Sequence, residues 1–427
     1  MKTPSLQKLF TLLSGVAILI SACGSSPSAN MAQSSLKRIT SPNVPAADAQ
    51  TLVDGNNAFA LDVYQTLSAE EGNLILSPFS MSLALAMTYA GARGETESQM
   101  AETLHFDMPQ EQLHPAFNAL DQDLATRGKA KSDDEEPLQL SIANAVWAEQ
   151  MYPFLQDYLD LIASNYGAGI ALADFINQHE RIRNDINDWV YDETQEKIKD
   201  LLPEGILNSD TRMVLVNAIY FKADWLDQFD PVETNDYLFH LLDGTDVTVK
   251  FMKQHVASPY YLGDGFQVVE LAYAGDTAAM DILLPDEGNF EAFESALNSN
   301  LLDQTLDGLQ PASFDIFLPK FTFESSFDLS ETLKSMGMVA AFDPASADLS
   351  GMTGKKDLFI SDVIHKAFVA VDEAGTEAAA ATGAFAQITS ALFGNPAVVI
   401  DRPFIFIIRD KPSGQILFIG RVLDPTQ

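Results

Sequence analysis

One segment near the C-terminus limits the fold more than any other, because its alternate side chains differ in kind. Every second residue is small and uncharged over five positions: Thr376, Ala378, Ala380, Thr382 and Ala384. The other set begins with Glu377. A strand that enters a packed sheet buries one such set and turns the other outward. This alternation favours a segment that is a loop in one state and a central strand in another.

Helix propensity gives the same segment a second interpretation. Alanines are strong helix formers, and they fill positions 378–381 after Glu377. Gly375 and Gly383 bracket the stretch, however, and no apolar stripe would anchor such a helix. A short surface helix or a flexible loop therefore stays open as the alternative to an inserting strand.

Apolar residues recur at helical spacing in several other stretches. Phe59, Val63 and Leu67 lie four residues apart, as on the buried side of a helix. Ser77-Pro78 is typical of a helix start, because serine caps well and proline fits the first turn. Further helices are predicted over 156–166 and 180–193.

Long apolar runs predict strands, most of them in antiparallel sheets. Residues 213–221 are apolar on both alternating faces, so we expect this strand in the middle of a covered sheet. Residues 314–323 and 365–371 predict two more strands. The runs 404–408 and 416–419 flank a turn-forming stretch and predict a hairpin. The mixture indicates an α+β fold.

The charge balance excludes several classes of partner and cofactor. Lys and Arg total 25 against 60 Asp and Glu, which gives a formal net charge of −35. There are too few cations to displace counterions from nucleic acid or to form a polybasic membrane patch. One cysteine permits neither an intrachain disulfide nor a cysteine-based zinc site, and the six histidines lack metal-ligand spacing. We therefore predict no metal and no cofactor.

The N-terminus predicts export and a lipid anchor. Lys2 and Lys8 precede or border the apolar run 9–20, which is too short to span a bilayer and fits a signal peptide. The run ends in Ile20-Ser21-Ala22-Cys23, which resembles a bacterial lipobox. A plain secretory signal with an incidental cysteine is the alternative. We expect a signal peptide over 1–22, a lipidated Cys23 with a flexible linker over 23–50, and a folded domain over 51–427. The predicted location is the cell envelope or cell surface, or else the extracellular space.

Seven short motifs resemble those of the serpin family, in the family's order, between about residue 56 and the C-terminus. Each is weak alone, but the ordered set is specific. They lie at 73–80, 215–225, 317–321, 347–352, 372–381, 401–404 and 418–426.

The resemblance implies a fold of three β-sheets with eight or nine helices, an exposed reactive-centre loop and a metastable native state. In inhibitory serpins a target protease attacks the loop and forms a covalent acyl-enzyme. The cut loop then inserts into the central sheet as a new strand and carries the protease with it, so that deacylation stalls. Because the nucleophile belongs to the protease, we expect a monomeric suicide inhibitor of serine proteases and not an enzyme.

The resemblance also assigns roles to named residues. Gly375 would be the pivot of the hinge, and Thr376 would enter the sheet first. Lys320 would pair with Glu373 near Trp225. The hinge is expected over Glu373, Gly375, Thr376, Glu377, Ala378, Ala379, Ala380 and Ala381. A polar cluster that holds or releases the sheet is expected at Ser77, Ser80, Asn217 and His365.

The bond that the protease cleaves has two candidates. Counting forward from Gly375, as in the family, gives Thr389-Ser390, whereas counting back from Pro403 gives Leu392-Phe393. No Lys or Arg lies between residues 376 and 401. Trypsin-like proteases, which select a basic residue, are therefore not expected. The loop composition suits elastase-, chymotrypsin- or subtilisin-like proteases, with papain-like cysteine proteases as the alternative.

Two other functions compete with inhibition. A non-inhibitory serpin that acts as a binding or carrier protein is the first, but such members typically have bulky or charged hinge residues. An enzyme is the second. The sequence has no Gly-x-Ser-x-Gly elbow, and residues 351–356 lack phosphate-loop spacing.

Overall fold

The computed structural model of the chain describes residues 30–127, 138–376 and 396–427. Over these ranges it has ten α-helices. In chain order, α1 to α10 are Ala46–Leu67, Pro78–Tyr89, Gly94–Leu104, Gln110–Arg127, Gln156–Tyr166, Phe175–Glu193, Phe290–Ala296, Ser299–Asp307, Leu329–Ser335 and Ser350–Thr353.

The first sheet has seven strands, and the strand predicted as central lies in its middle. In spatial order the strands are β1 (Asn30–Ala32), β4 (Ile170–Ala173), β3 (Gln139–Glu149), β5 (Met213–Asp224), β13 (Gly375–Thr376), β12 (Asp362–Val371) and β11 (Phe321–Asp328). β5 is buried along nearly its whole length. Such burial on both faces explains its apolar run, which only Asn217 interrupts between residues 213 and 221.

The second sheet has nine strands and carries much of the core. In spatial order they are β14 (Ala397–Val399), β10 (Gln310–Pro319), β7 (Asp246–Leu262), β8 (Phe266–Ala272), β9 (Ala278–Pro285), β15 (Phe404–Asp410), β16 (Ile416–Val422) and β2 (Leu74–Leu76), with β6 (Asn235–His240) paired to β7. β15 and β16 form the predicted hairpin.

The α+β class is confirmed, but the second and third sheets expected from the family resemblance are joined over the described residues. β7 has 17 residues. Its N-terminal part pairs with β6, its C-terminal end pairs with β8, and β10 pairs along the length between them. One unbroken strand therefore carries the hydrogen bonding from one sheet into the next. The helix count exceeds eight or nine because it includes short helices such as α9 and α10.

Two local predictions differ from the structure in an informative way. The strand predicted over 314–323 is two strands in two sheets, since β10 ends at Pro319 and β11 begins at Phe321. Pro319 does not end the contact with β7, because the Lys320 N–H still donates to the Lys250 carbonyl at 2.8 Å before the chain enters the other sheet as β11. Helix α2 begins at Pro78 as predicted, but Ser77 does not cap it: the Ser77 hydroxyl donates to the Leu417 carbonyl at 2.7 Å.

Residues 30–45 fall in the range predicted as a flexible linker, yet they pack on the domain. β1 pairs with β4 and extends the edge of the seven-stranded sheet. Ser34 donates to the Asp160 carboxylate, and Arg38 forms an ion pair with Asp121 at 2.6 Å. An open sheet edge leaves backbone groups that another strand can satisfy, which explains why this segment is held. Cys23 and the predicted signal peptide lie outside the described residues.

Candidate functional site

The hinge begins with a tight reversal of the chain after β12. The Asp372 N–H donates to the Gly375 carbonyl at 2.9 Å. The Asp372 carboxylate accepts hydrogen bonds from the N–H groups of Ala374, at 3.0 Å, and Gly375, at 3.4 Å. An aspartate that bonds its own backbone two residues on stabilises a turn. The turn directs the next residues back alongside β12 as β13.

β13 lies between β5 and β12 at the end of the sheet where those two strands separate. Gly375 pairs with Asp224 and Thr376 with Ala223 on β5, and Thr376 also pairs with Val371 on β12. Further along, β5 and β12 pair directly with each other over 214–220 and 362–368. At the central junction β13 thus lies between β5 and β12 at two positions, the next two positions (221–222 and 369–370) are not paired with each other, and the following seven pairs are closed.

Gly375 is required by close backbone approach. A Cβ at this position would lie 2.0 Å from the Ala223 carbonyl oxygen. The φ of Gly375 is outside the left-handed region, in contrast to glycines such as Gly354 and Gly414. The constraint on Gly375 in this structure is therefore contact with β5 and not an unusual φ.

Thr376 is the first side chain that the hinge buries, with 1% of its surface exposed. Its hydroxyl forms a hydrogen bond of 2.9 Å with the Tyr273 hydroxyl. The Tyr273 ring stacks on Trp225, with ring centroids 4.7 Å apart. Burial raises the pKa of Tyr273 well above its usual value, so the phenol stays protonated. The stacked rings of Tyr273 and Trp225 thus form a surface against which the small polar side chain of Thr376 packs.

Glu373 fixes the outer side of the turn. Its carboxylate accepts hydrogen bonds from Lys320 and, at 2.7 Å, from the Thr234 hydroxyl. Burial alone would raise the pKa of Glu373, but the hydrogen bonds from Lys320 and Thr234 outweigh burial and the pKa lies below its usual value. The Trp225 indole N–H donates to the Asp372 carbonyl at 2.9 Å. The structure thus brings together the three residues that the sequence grouped near the hinge.

A buried polar cluster lies across the closed part of the junction. Asn217 on β5 pairs in register with His365 on β12, and their side chains are hydrogen-bonded. The Ser77 N–H donates to His365 Nε2 at 3.1 Å, and Asn217 Nδ2 donates to Ser80 Oγ at 2.5 Å. Burial lowers the pKa of His365 to about 3. The ring is therefore neutral, accepting at Nε2 and donating from Nδ1 to Asn217.

Sequence reasoning missed Asn144 and Tyr273. Asn144 lies opposite Asn217 in the register of β3 and β5, and its carboxamide bonds both Asn217 and Ser80. A lone asparagine in the apolar stretch 142–148 was the signal that could have identified it. Tyr273 lies in an isolated bridge to Trp225, and nothing in its local sequence points to the hinge.

The middle of the loop lies outside the described residues. This range holds hinge residues Glu377 to Ala381 and the candidate bonds at Thr389-Ser390 and Leu392-Phe393. On its far side, the Pro396 carbonyl accepts from the Asp315 N–H at 2.9 Å, and β14 then pairs with β10. The loop therefore leaves the seven-stranded sheet and returns to the nine-stranded one.

The described ranges offer no cluster of metal ligands and no helix that could span a membrane. Across 30–127, 138–376 and 396–427, no three His, Cys, Asp or Glu side chains come close enough to hold a metal ion together. Within the same ranges, each helix is too short or too polar to cross a bilayer.

Known proteins resemble this chain over most of its length. Residues 54–425 match the profile of the family described as Serpin (serine protease inhibitor). "Leukocyte elastase inhibitor A" of Mus musculus is 40% identical over 387 residues, which covers 88% of this chain and 100% of the relative. "Leukocyte elastase inhibitor" of Bos taurus is 41% identical over the same coverage.

Solved structures give the same result. A "thyroxine-binding globulin complex with thyroxine" superposes with a TM-score of 0.78 at 32% identity and covers 88% of this chain and 100% of its own. "A Thermophilic Serpin, Tengpin, in the Native State" gives a TM-score of 0.79 at 28% identity and covers 92% and 99%. Given the hinge seated in its sheet, the match across nearly the whole folded domain and these shared folds, the chain belongs to the serpin family of serine protease inhibitors.

Proposed function

We propose that this serpin inhibits serine endopeptidases as a suicide substrate, with its reactive loop inserting into the seven-stranded sheet. The observation that carries the proposal is β13, which already pairs with β5 on one side and β12 on the other. Residues that follow Thr376 would continue the same strand between β5 and β12. The small alternate side chains from Thr376 to Ala384 suit burial along that path.

Insertion requires the polar cluster to open. Neighbouring strands lie about 4.8 Å apart, so inserting one strand between β5 and β12 must increase the distance between them by about 4.8 Å. The hydrogen bond between Asn217 and His365 crosses this junction and would break. We propose that the cluster sets how easily the sheet opens, since each of its buried polar groups must find another partner afterwards.

The proposed targets are elastase-, chymotrypsin- or subtilisin-like proteases. The absence of Lys and Arg from the sequence between residues 376 and 401 argues against trypsin-like enzymes. The printed names of the similar relatives, which are leukocyte elastase inhibitors, support an elastase-like target. The chain itself supplies no catalytic group to the inhibition in this mechanism.

We further propose that the protein is exported as a monomer and anchored by lipid at Cys23. The sole cysteine lies where a lipobox would place it. When cells that express the protein grow with labelled palmitate, the parent chain should become labelled and the Cys23→Ser variant should not. Label in the variant would contradict the anchor without affecting the inhibitory proposal.

The test of inhibition is a covalent complex that survives boiling in detergent. We expect elastase- or chymotrypsin-like proteases to give such a band and trypsin to give none. The control is the same protease with its active-site serine blocked, which cannot form the acyl bond. Clean cleavage without a complex would contradict inhibition and would favour a binding or carrier role. Sequencing the released C-terminal fragment would decide between Thr389-Ser390 and Leu392-Phe393.

A further inference from the structure

Three side chains on the solvent face of the nine-stranded sheet lie in the order Ser, His, Asp. The Ser313 hydroxyl is 2.9 Å from His255 Nε2, and His255 Nδ1 is 2.7 Å from the Asp315 carboxylate. This is the connectivity by which a histidine activates a serine, with the carboxylate on one ring nitrogen and the hydroxyl on the other. Its side-chain hydrogen bonds are separate from those of the hinge, although the Asp315 N–H also donates to the Pro396 carbonyl where the loop returns.

The strand register explains why these side chains meet. Asp315 on β10 is directly opposite His255 on β7, and Ser313 is two residues before Asp315. The Asp315 N–H donates to Pro396 on the other side, so Asp315 and His255 form the closer, non-hydrogen-bonded kind of antiparallel pair. Residues i and i+2 share a face of a strand. All three side chains therefore project to the same side, while Phe314 between them is buried.

The hydrogen bonds fix the roles of the ring nitrogens. A carboxylate can only accept, so a neutral His255 carries its proton on Nδ1 towards Asp315. Nε2 then has a lone pair directed at the Ser313 hydroxyl. Ser313 is exposed and the His255 side chain is 51% exposed, so solutes can reach the serine, whereas the Asp315 side chain is only 17% exposed.

We propose that Ser313 is an activated nucleophile that accepts an acyl group from small activated esters, separately from protease inhibition. As Ser313 Oγ attacks the ester carbonyl carbon, its proton moves to His255 Nε2. The carbonyl–oxygen bond to the leaving group then breaks, and the leaving alcohol takes that proton from Nε2. The products are acyl-Ser313 and a free alcohol. Asp315 positions the ring and stabilises its protonated form.

The open setting determines the substrate class. Ser313, His255 and Asp315 line neither of two cavities of about 260 and 250 Å³ in the described part of the chain. Because Ser313 and His255 are exposed on the strand face, we expect binding of the substrate to contribute little to the rate, so the substrate needs a good leaving group. Aryl esters meet this requirement, whereas peptide bonds do not.

The test uses a fluorophosphonate probe and p-nitrophenyl acetate on the full chain, with peptide mass spectrometry to locate the label. We expect Ser313 to react at least tenfold faster than other serines, and S313A to lose that label. H255Q should lower the rate at least tenfold, because it removes the base. D315N should lower it by a similar factor, and D315E should restore part of it. S98A is the control: it changes an exposed helical serine whose hydroxyl donates to the Gly94 carbonyl, and its labelling rate should match that of the parent.

Two results would overturn the proposal. One is labelling spread evenly over surface serines, with no excess at Ser313. The other is labelling of Ser313 that does not change in H255Q or D315N, because the serine would then react as an ordinary alcohol. S313A and H255Q should still form the covalent complex with the target protease at the parental rate, which would show that the fold is intact and that the two reactions are independent. D315N is left out of this comparison because Asp315 also contacts the returning loop at Pro396.

Discussion

Two short strands complete the seven-stranded sheet, and the chain holds them in opposite ways. β1 has three residues at the edge, and side chains beyond the strand tie it down: Ser34 bonds Asp160, and Arg38 bonds Asn118 and Asp121. β13 has two residues at the centre, with a strand on each side, and it is held by close backbone approach and by Thr376.

This difference indicates how much of the sheet should be disturbed when either strand is changed. An edge strand can leave without moving its neighbours, so its loss should stay local. A central strand cannot lengthen or leave without changing the spacing of β5 and β12, so its state is coupled to the whole sheet. Changes at β13 should therefore alter the whole sheet, whereas changes that free β1 should be felt only at the edge.

The largest effect is expected when the reactive loop is cut. Extending β13 by a full strand adds roughly ten ladder hydrogen bonds at about 1 kcal/mol each, which should raise Tm by about 10 °C or more. Calorimetry before and after cleavage by a non-target protease measures this shift. An unchanged Tm would mean that β13 does not extend.

Thr376→Arg should have the next largest effect. It would place a charge where 1% of the side chain is exposed, against Tyr273, at a cost of several kcal/mol. We expect the covalent complex to fall by about 100-fold and the variant to be cleaved as a substrate. Thr376→Ser keeps the hydroxyl and should behave like the parent. If both variants lost the covalent complex, the buried charge would not be the cause.

Arg38→Met tests the edge strand. The Asp121 side chain is 4% exposed, and removing its partner leaves a buried carboxylate unpaired, which should lower the free energy of unfolding by about 3 kcal/mol. Amide exchange should speed up in β1 and stay unchanged in β13. Adding Asp121→Asn to the variant should restore part of the loss. Faster exchange in both strands would show that the edge and the centre are coupled.

The same variant has a predictable pH dependence. Burial raises the pKa of Asp121 above its usual value, and Arg38 opposes that rise. Without Arg38 the folded-state pKa rises further, so the folded state binds a proton more readily than the unfolded chain. The variant should therefore gain stability relative to the parent as the pH falls from 7 to 5. A deficit that stays constant over this range would contradict the unpaired carboxylate.

Tyr273→Phe should have the smallest effect. It removes one hydroxyl partner of Thr376 and leaves the stack on Trp225 in place. The expected loss is about 1 kcal/mol, visible as roughly fivefold faster amide exchange at Gly375 and Thr376. Exchange in β1 should not change.

The sequence was most informative where burial leaves a regular pattern. The apolar run of β5 predicted a central strand, and residues 156–166 predicted α5 with its observed bounds. Contacts between distant segments were beyond these patterns, and the pair of Lys320 with Glu373 was expected only from the family resemblance. Tyr273 bonds Thr376, which lies 103 positions later in the chain. Arg38, which follows β1, forms its ion pair with a residue of α4. Such pairs leave no periodicity in the chain, because only the fold brings them together.

The hairpin of β15 and β16 determines what remains after the loop is cut. Both strands follow the loop in the chain, yet they lie inside the nine-stranded sheet between β9 and β2, with residues 405–408 almost fully buried. After cleavage, the C-terminal peptide would stay bound through the pairing of β15 with β9 and of β16 with β2. The spent molecule should therefore elute from a sizing column as a single particle and separate into two pieces only in denaturant.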